Sequence, residues 1–318
     1  MARVKILLPT SLPLHPTFGD GVTAVPYNVA APLPSEHHDA AALVVWANAS
    51  DRLADAAHAL PGLRWVQTLA AGPDQVLAAP FGPDVTITAG QGLHDGPVAE
   101  HTLGLILAAA RRLDVADEAR RARRWASELS LGQPLDNAER FTTLHGARVL
   151  VWGFGGIGQR LAGYLRALGA SVTGVARSAG ERAGVPVVTD AEVPGLLPTL
   201  DVLVNILPAT PQTAGVVDAS VFAALAPKAW FVNVGRGATV DEGALDDALR
   251  SGSISGAALD VTATEPLPAS SPLWDAPNLI LTPHSAGGRP QGAEALIEDN
   301  LRRLLAGQEL RNVVRAAG

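Results

Sequence analysis

Residues 147–178, ARVLVWGFGGIGQRLAGYLRALGASVTGVARS, constrain the fold more than any other stretch of the chain. The apolar run Val149, Leu150, Val151, Trp152 reads as a short buried strand, and the turn after it places Gly153, Gly155 and Gly158 in G-x-G-x-x-G spacing. From Ile157 to Leu168 the apolar residues recur at helical period, with Leu161, Leu165 and Leu168 on one side. Ser171 to Ala176 is a second β-rich run. A glycine-rich turn alone says little, but between a strand and a helix, in a βαβ unit of roughly 30 residues, it points to an anion. The first glycine permits the tight turn, the second lets a pyrophosphate approach the backbone, and the third lets helix and strand pack closely. The helix N-terminus adds free N–H groups and a partial positive charge. Gly153, Gly155, Gly156, Ile157 and Gly158 are therefore the expected pyrophosphate cradle of a dinucleotide site.

The end of the second strand selects among dinucleotides. An NAD site places an Asp or Glu about 20 residues beyond the glycines, where it hydrogen-bonds the adenosine ribose 2′-hydroxyl. This chain has Ala176, Arg177 and Ser178 there. No carboxylate repels a 2′-phosphate, and a guanidinium and a hydroxyl can bind one. NADP(H) is the preferred cofactor on this reading, with NAD(H) possible.

The chain has 318 residues, a length that suits two domains, and 47% apolar residues supply ample core. No apolar run approaches the roughly 18 residues of a membrane span. The N-terminus runs directly into the strand-like VKILLPT without a signal-peptide pattern, so a cytoplasmic location is expected. Zero cysteines exclude disulfides, thiolate catalysis and Cys-ligated metals, and no metal site is expected. A net charge of −7 argues against nucleic acid as a partner.

Strands and helices alternate along the whole chain, which implies an α/β protein with parallel sheets and helices on their faces. Strands are expected at residues 4–9, 43–46, 65–69 and 85–88, with a loop and a short edge element over residues 27–35. Ser50 and Asp51 are placed to cap a helix running to Leu60. Residues 90–97 read as a hinge, 98–129 as one long helix carrying six arginines among acids, and 131–143 as a polar loop. The arginine-rich helix reads as a solvated or subunit-facing surface. Further strands fall at 201–207, 228–234, 256–261 and 279–281, with helices from Asp241 to Arg250 and from Gln291 to Leu305.

Three polar groups then sit at or just past the carboxyl ends of successive strands: Arg236, Asp260 with Glu265, and His284. In an open α/β sheet that edge is where ligands bind. Histidine is suited to proton transfer near neutral pH, a carboxylate beside it holds its orientation, and arginine clamps carboxylates bidentately. Beside a nicotinamide these groups can reduce a 2-oxo acid. Arg236 lies between Gly235 and Gly237, which suggests close approach to a ligand, whereas Glu265 could equally be a loop acid. His15, His94 and His101 are left undecided.

The segments HGARVLVWGFGGIGQRLA, NILPATPQTAGVVD, FVNVGRGATVDEGAL, GAALDVTATEPLP and SPLWDAPNLILTPHSAG, spanning residues 145–287, resemble the D-2-hydroxyacid dehydrogenases, a family that includes glyoxylate/hydroxypyruvate reductases and 3-phosphoglycerate dehydrogenase. GPVAEHTLGLILAAARR extends the match, and residues 1–90 resemble the family in pattern alone. The resemblance implies two Rossmann-like or flavodoxin-like domains with a cleft between them, and a homodimer built on the long helix. Residues 1–94 plus 288–318 would form the substrate-binding domain and 95–287 the dinucleotide-binding domain. Arg236 would bind substrate, His284 would donate and accept the proton, and Glu265 would pair with it. Asp260 would contact the nicotinamide amide, with Leu207, Pro208 and Val234 also lining the cofactor. Backbone N–H groups at Ala71 and Gly72 would hold the substrate carboxylate. The implied activity is reduction of a small 2-oxo acid of glyoxylate or hydroxypyruvate type to the D-2-hydroxy acid. An NAD-dependent dehydrogenase of a bulkier acid such as 3-phosphoglycerate is the alternative, weakened because no stretch is left after the last helix for a regulatory domain. A non-catalytic dinucleotide-sensing corepressor is the alternative of another class. The Arg, Glu and His together, and the lack of partner-binding tails, weigh against it.

Overall fold

The computed structural model describes residues 4–131, 133–134 and 136–317. Gly132 and Leu135, in the stretch expected to be a polar loop, lie outside the described residues. The chain divides into two compact units, Met1–His94 with Gly288–Gly318, and Asp95–Gly287.

In the first unit, β1 (Val4–Pro9), β2 (Val22–Tyr27), β3 (Ala42–Val45), β4 (Trp65–Thr68) and β5 (Thr86–Thr88) form a parallel sheet in the order β5-β4-β3-β1-β2. The last strand of the chain, Val313–Arg315, joins it antiparallel to β5. The sheet is covered on both sides. Leu7, Leu43, Val66 and Ile87 pack with α1 (Ser50–Ala59) and α2 (Asp74–Ala78), and Ile6, Val44 and Trp65 pack with the C-terminal helix Ala293–Leu305. Burial on both faces is why β3 (ALVV) and the Ile6–Leu8 part of β1 are continuous apolar runs.

The second unit opens with α3 (Asp95–Arg111) and α4 (Leu113–Arg121). Its sheet is built from β6 (Arg148–Trp152), β7 (Ser171–Val175), β8 (Gly180–Arg182), β9 (Val185–Val188), β10 (Val202–Asn205), β11 (Trp230–Asn233), β12 (Gly256–Leu259) and β13 (Leu279–Leu281). The order is β13-β12-β11-β10-β6-β7-β9-β8, and every pair is parallel except β8 with β9. Strand order reverses between β6 and β10, the switch point at which open sheets bind ligands. Helix α5 (Gly156–Ala167) follows β6, and α6 (Val193–Leu196), α7 (Ala219–Ala224) and α8 (Glu242–Ser251) come later in the chain. Successive β6 residues face opposite layers, as a strand requires. Val149 and Val151 join the core containing Ile106, Leu161 and Leu165, while Leu150 and Trp152 join the one containing Phe222, Leu245 and Leu249. Leu161 and Leu165 have no exposed surface, so each contributes roughly 1.5–3 kcal/mol by burial.

The fold class is the expected α/β arrangement with two mostly parallel sheets. Local departures have physical causes. The expected single helix over 98–129 is broken at Arg112, which adopts a left-handed conformation (φ 49°) between α3 and α4. Its guanidinium bonds Asp114 (3.1 and 3.0 Å) and Asn278 (2.8 Å) and lies 5.9 Å from the centre of the Trp230 ring. One of the expected solvated arginines is thus a packing element. Ala49, rather than Ser50 or Asp51, is the N-cap of α1, with no side-chain cap bond. The edge strand β2 precedes the expected edge element of residues 27–35, and the β8–β9 hairpin was not expected.

Candidate active site

The C-terminal tips of six adjacent parallel strands lie side by side in the second unit, in the order β13-β12-β11-β10-β6-β7. Read along that edge, they carry Thr282–His284, Asp260–Glu265, Val234–Gly237, Ile206–Pro208, the glycine turn from Gly153, and Ala176–Ser178. Sequence order hides this arrangement and parallel pairing creates it.

At one end, His284 and Glu265 form a hydrogen-bonded pair, Nδ1 to Oε2, at 2.6 Å. A carboxylate only accepts, so Nδ1 carries the hydrogen and Nε2 is the nitrogen turned to other partners. The second Glu265 oxygen accepts the Thr262 N–H at 3.0 Å. His284 is in a left-handed conformation (φ 50°), and its own N–H donates to the Asp260 carbonyl at 2.8 Å. The backbone is therefore committed to presenting this ring.

Asp260 is 2% exposed. Oδ1 accepts from the Thr282 hydroxyl (2.6 Å) and the Ser285 N–H (2.9 Å), and Oδ2 accepts from the Ala286 N–H (3.0 Å). His101, from α3, reaches the same cluster, with Nε2 3.0 Å from Thr282 Oγ1 and 3.3 Å from Asp260 Oδ1. The Asp260 carboxylate fastens the segment that carries His284, and His101 is a member the sequence left undecided.

Arg236 sits in the turn after β11, and its Nη1 donates to the Gly235 carbonyl at 2.8 Å. The flanking glycines are explained by the chain itself. A Cβ on Gly235 would stand 2.6 Å from the Leu207 carbonyl oxygen, and one on Gly237 would run into the backbone of Thr262. The expectation that these glycines mark close approach to a ligand is corrected: they mark close approach of neighbouring strand tips.

The glycine turn fits a pyrophosphate. Gly153 has φ 103°, and a Cβ there would meet the Ile206 carbonyl at 2.7 Å. Gly155 is the N-cap of α5, so no side chain fills the space before the helix N-terminus. One group works against an anion: the Asp95 carboxylate lies against Gly156. Beyond β7, Arg177 and Ser178 are exposed, and Arg182 on β8 donates to the Ser178 hydroxyl (2.7 Å) and carbonyl (3.1 Å). Sequence reasoning missed Arg182, which reaches back four residues to Ser178.

In the first unit, Ala71 and Gly72 follow β4 at that sheet's carboxyl edge, half-buried, with no hydrogen bond to either N–H among the described residues. They and the second unit's residues are the expected site, and the geometry of each set stands by itself.

Residues 103–286 match the family model for the NAD binding domain of D-isomer specific 2-hydroxyacid dehydrogenases. Glyoxylate/hydroxypyruvate reductase A of Serratia proteamaculans is 33% identical over 292 residues, covering 88% of each chain. The chain belongs to the D-isomer specific 2-hydroxyacid dehydrogenase family. Among solved members, the NADPH-dependent glyoxylate/hydroxypyruvate reductase of Sinorhizobium meliloti, in complex with NADP and sulfate, matches with a TM-score of 0.78 at 28% identity over 98% of both chains. The D-3-phosphoglycerate dehydrogenase of Mycobacterium leprae is 35% identical over 227 residues, which cover 69% of this chain and 40% of that protein. Like its relatives, this 2-hydroxyacid dehydrogenase is an NAD(P)-dependent oxidoreductase. No helix among its described residues is long and apolar enough to cross a membrane.

Proposed function

We propose that this dehydrogenase reduces a small 2-oxo acid of glyoxylate or hydroxypyruvate type with NADPH, giving the D-2-hydroxy acid where the product is chiral. The observation that carries the reading is the ordered sheet edge: a His–Glu pair, an arginine, an apolar turn, a glycine turn and an Arg/Ser strand end on consecutive strands. The bound nicotinamide supplies the hydride. Arg236 grips the substrate carboxylate through charge-assisted hydrogen bonds, assisted by the N–H groups of Ala71 and Gly72. His284 gives the proton on Nε2 to the carbonyl oxygen, while Glu265 holds the ring at Nδ1 and stabilises the imidazolium. Leu207, Pro208 and Val234 supply the apolar wall on the cofactor side. Asp260 has one lone pair of Oδ2 left for the carboxamide after its bonds within the chain.

Arg177, Ser178 and Arg182 support NADP(H) over NAD(H), since a 2′-phosphate would meet two guanidinium groups and a hydroxyl and no carboxylate at the strand end. The Sinorhizobium reductase, solved with NADP, supports the same choice. Similarity to the Mycobacterium enzyme supports a second reading, NAD-dependent oxidation of a bulkier hydroxy acid. A homodimer built on residues 98–129 belongs to the proposal, with Trp125 (88% exposed) available to a second copy.

The test is a panel of 2-oxo acids assayed with NADPH and NADH on wild type and His284→Ala. Turnover of glyoxylate or hydroxypyruvate with NADPH, lost by about 100-fold or more in the variant, is expected of a general acid. A variant that keeps most of its kcat sinks the mechanism, and a preference for NADH sinks the cofactor assignment.

A further inference from the structure

Behind the turn that carries Arg236 lies a polar lattice closed off from solvent. Asn205 is the last residue of β10 and Asn233 the last of β11, paired in register, and Thr239 lies three residues beyond Arg236. Their exposures are 0, 1 and 0%. Asn205 Nδ2 donates to Asn233 Oδ1 at 3.1 Å and to Thr239 Oγ1 at 2.6 Å, and its Oδ1 accepts the Leu207 N–H at 3.2 Å. Asn233 Oδ1 also accepts the Gly235 N–H at 3.1 Å. The Arg236 carbonyl is the meeting point: it accepts the Thr239 hydroxyl at 2.6 Å, the Thr239 N–H at 3.2 Å and Asn233 Nδ2 at 3.3 Å.

Apolar side chains would fill these positions without the desolvation cost of three buried polar groups, so the lattice does something that packing alone does not. What it bonds outside itself is backbone: the N–H of Leu207, the N–H of Gly235 and the carbonyl of Arg236. These belong to two turns, 206–208 and 235–237, whose backbones touch because Gly235 has no Cβ. The next turn, at Thr262, abuts Gly237 in the same way and hands its N–H to Glu265.

We infer that Asn205, Asn233 and Thr239 are positioning residues of the reductase: they lock the Arg236 turn against the Leu207–Pro208 turn, so that the guanidinium is offered to the substrate carboxylate in one fixed place. The inference rests on the proposed role of Arg236 and assigns the residues that make that role possible.

Thr239→Val removes one hydroxyl at nearly constant shape, leaving Asn205 Nδ2 and the Arg236 carbonyl each short of a partner. A lost buried hydrogen bond expressed at the substrate arginine raises the KM for glyoxylate by about tenfold. The dissociation constant for NADPH, read by its fluorescence, stays unchanged, and Thr239→Ser restores the wild-type KM. If the valine variant does not fold, as judged by circular dichroism, Thr239→Ala carries the same expectations. Arg236→Ala is the control for the underlying reading. If it leaves the KM for glyoxylate unchanged, the assignment of Arg236 has failed. If it raises that KM while a folded Thr239→Val does not, the positioning inference is overturned. It is overturned as well if Thr239→Val weakens glyoxylate and NADPH alike, or if serine does not rescue, because either result describes a merely structural role.

Discussion

Glu265 meets His284 at Nδ1, 2.6 Å away, and is itself held by the Thr262 N–H at 3.0 Å. The acid is fixed from two sides, and the ring's other nitrogen is the one proposed to give the proton. Glu265→Gln keeps the size and one accepting oxygen, removes the charge, and leaves either the Nδ1–H of His284 or the N–H of Thr262 facing a donating NH2. In the proposed reduction His284 gives up the proton on Nε2, and Glu265 is the group that holds and orients the ring that does so. At neutral pH kcat falls by about tenfold or more. Steady-state kcat of the two proteins checks this, and an unchanged kcat would show that the charge of Glu265 has no part in the step.

Arg182 on β8 adds a second cation at the strand end proposed to select the cofactor. Arg182 braces Ser178 at 2.7 Å, so its loss removes a charge and loosens the hydroxyl. Arg177→Ala and Arg182→Ala should each raise the KM for NADPH by about tenfold, the value of one charge-assisted hydrogen bond at an exposed site. The KM for NADH should stay put, because no 2′-phosphate is there to feel the change. Parallel loss with both cofactors would assign the hairpin a structural task only.

Arg112 ends α3 in a left-handed conformation that a side chain rarely adopts. Arg112→Ala and Arg112→Gly lose the same contacts to Asp114, Asn278 and Trp230. They differ only in the backbone. Glycine should therefore be the milder change, by about 1 kcal/mol, despite its greater freedom in the unfolded chain. Urea unfolding of the two variants side by side gives the answer, and alanine at least as stable as glycine would mean that the chain straightens into one helix.

What could be read in the sequence was set by local rules. The strand–glycine turn–helix unit and the apolar strands follow from periodicity and burial on both faces. Arg236, Asp260 and His284 were placed at strand ends because the apolar runs stop just before them. The break at Arg112 was invisible because helical periodicity continues through it and one of its stabilising partners, Asn278, is 166 residues away. Arg182 carries no motif that marks it, and its bond to Ser178, four residues back, shows only in the folded chain. Asn205 and Asn233 fall inside the expected strands 201–207 and 228–234 with no role assigned, yet they are among the least exposed residues of the chain. Gly235 and Gly237 were given a ligand when their neighbours are other strand tips. The Asn205–Asn233 lattice, the neighbours of Gly235 and Gly237 and the Arg112–Asn278 bond join segments distant in sequence, whereas Arg182 and Ser178 are four residues apart.

Asp260 separates a structural from a cofactor role most sharply. Its carboxylate accepts the N–H groups of Ser285 and Ala286 and the hydroxyl of Thr282, the segment through which His284 is presented. Asp260→Asn exchanges one accepting oxygen for a donating NH2, so at least one buried donor loses its acceptor. The expected cost is about 1–3 kcal/mol of stability, felt with no cofactor present. His284 should lose its place at the same time, lowering kcat. Urea unfolding without nucleotide, set beside NADPH binding, distinguishes the cases. A variant that unfolds at the wild-type midpoint but binds NADPH poorly would mean that Asp260 is kept for the nicotinamide and that other bonds hold the His284 segment.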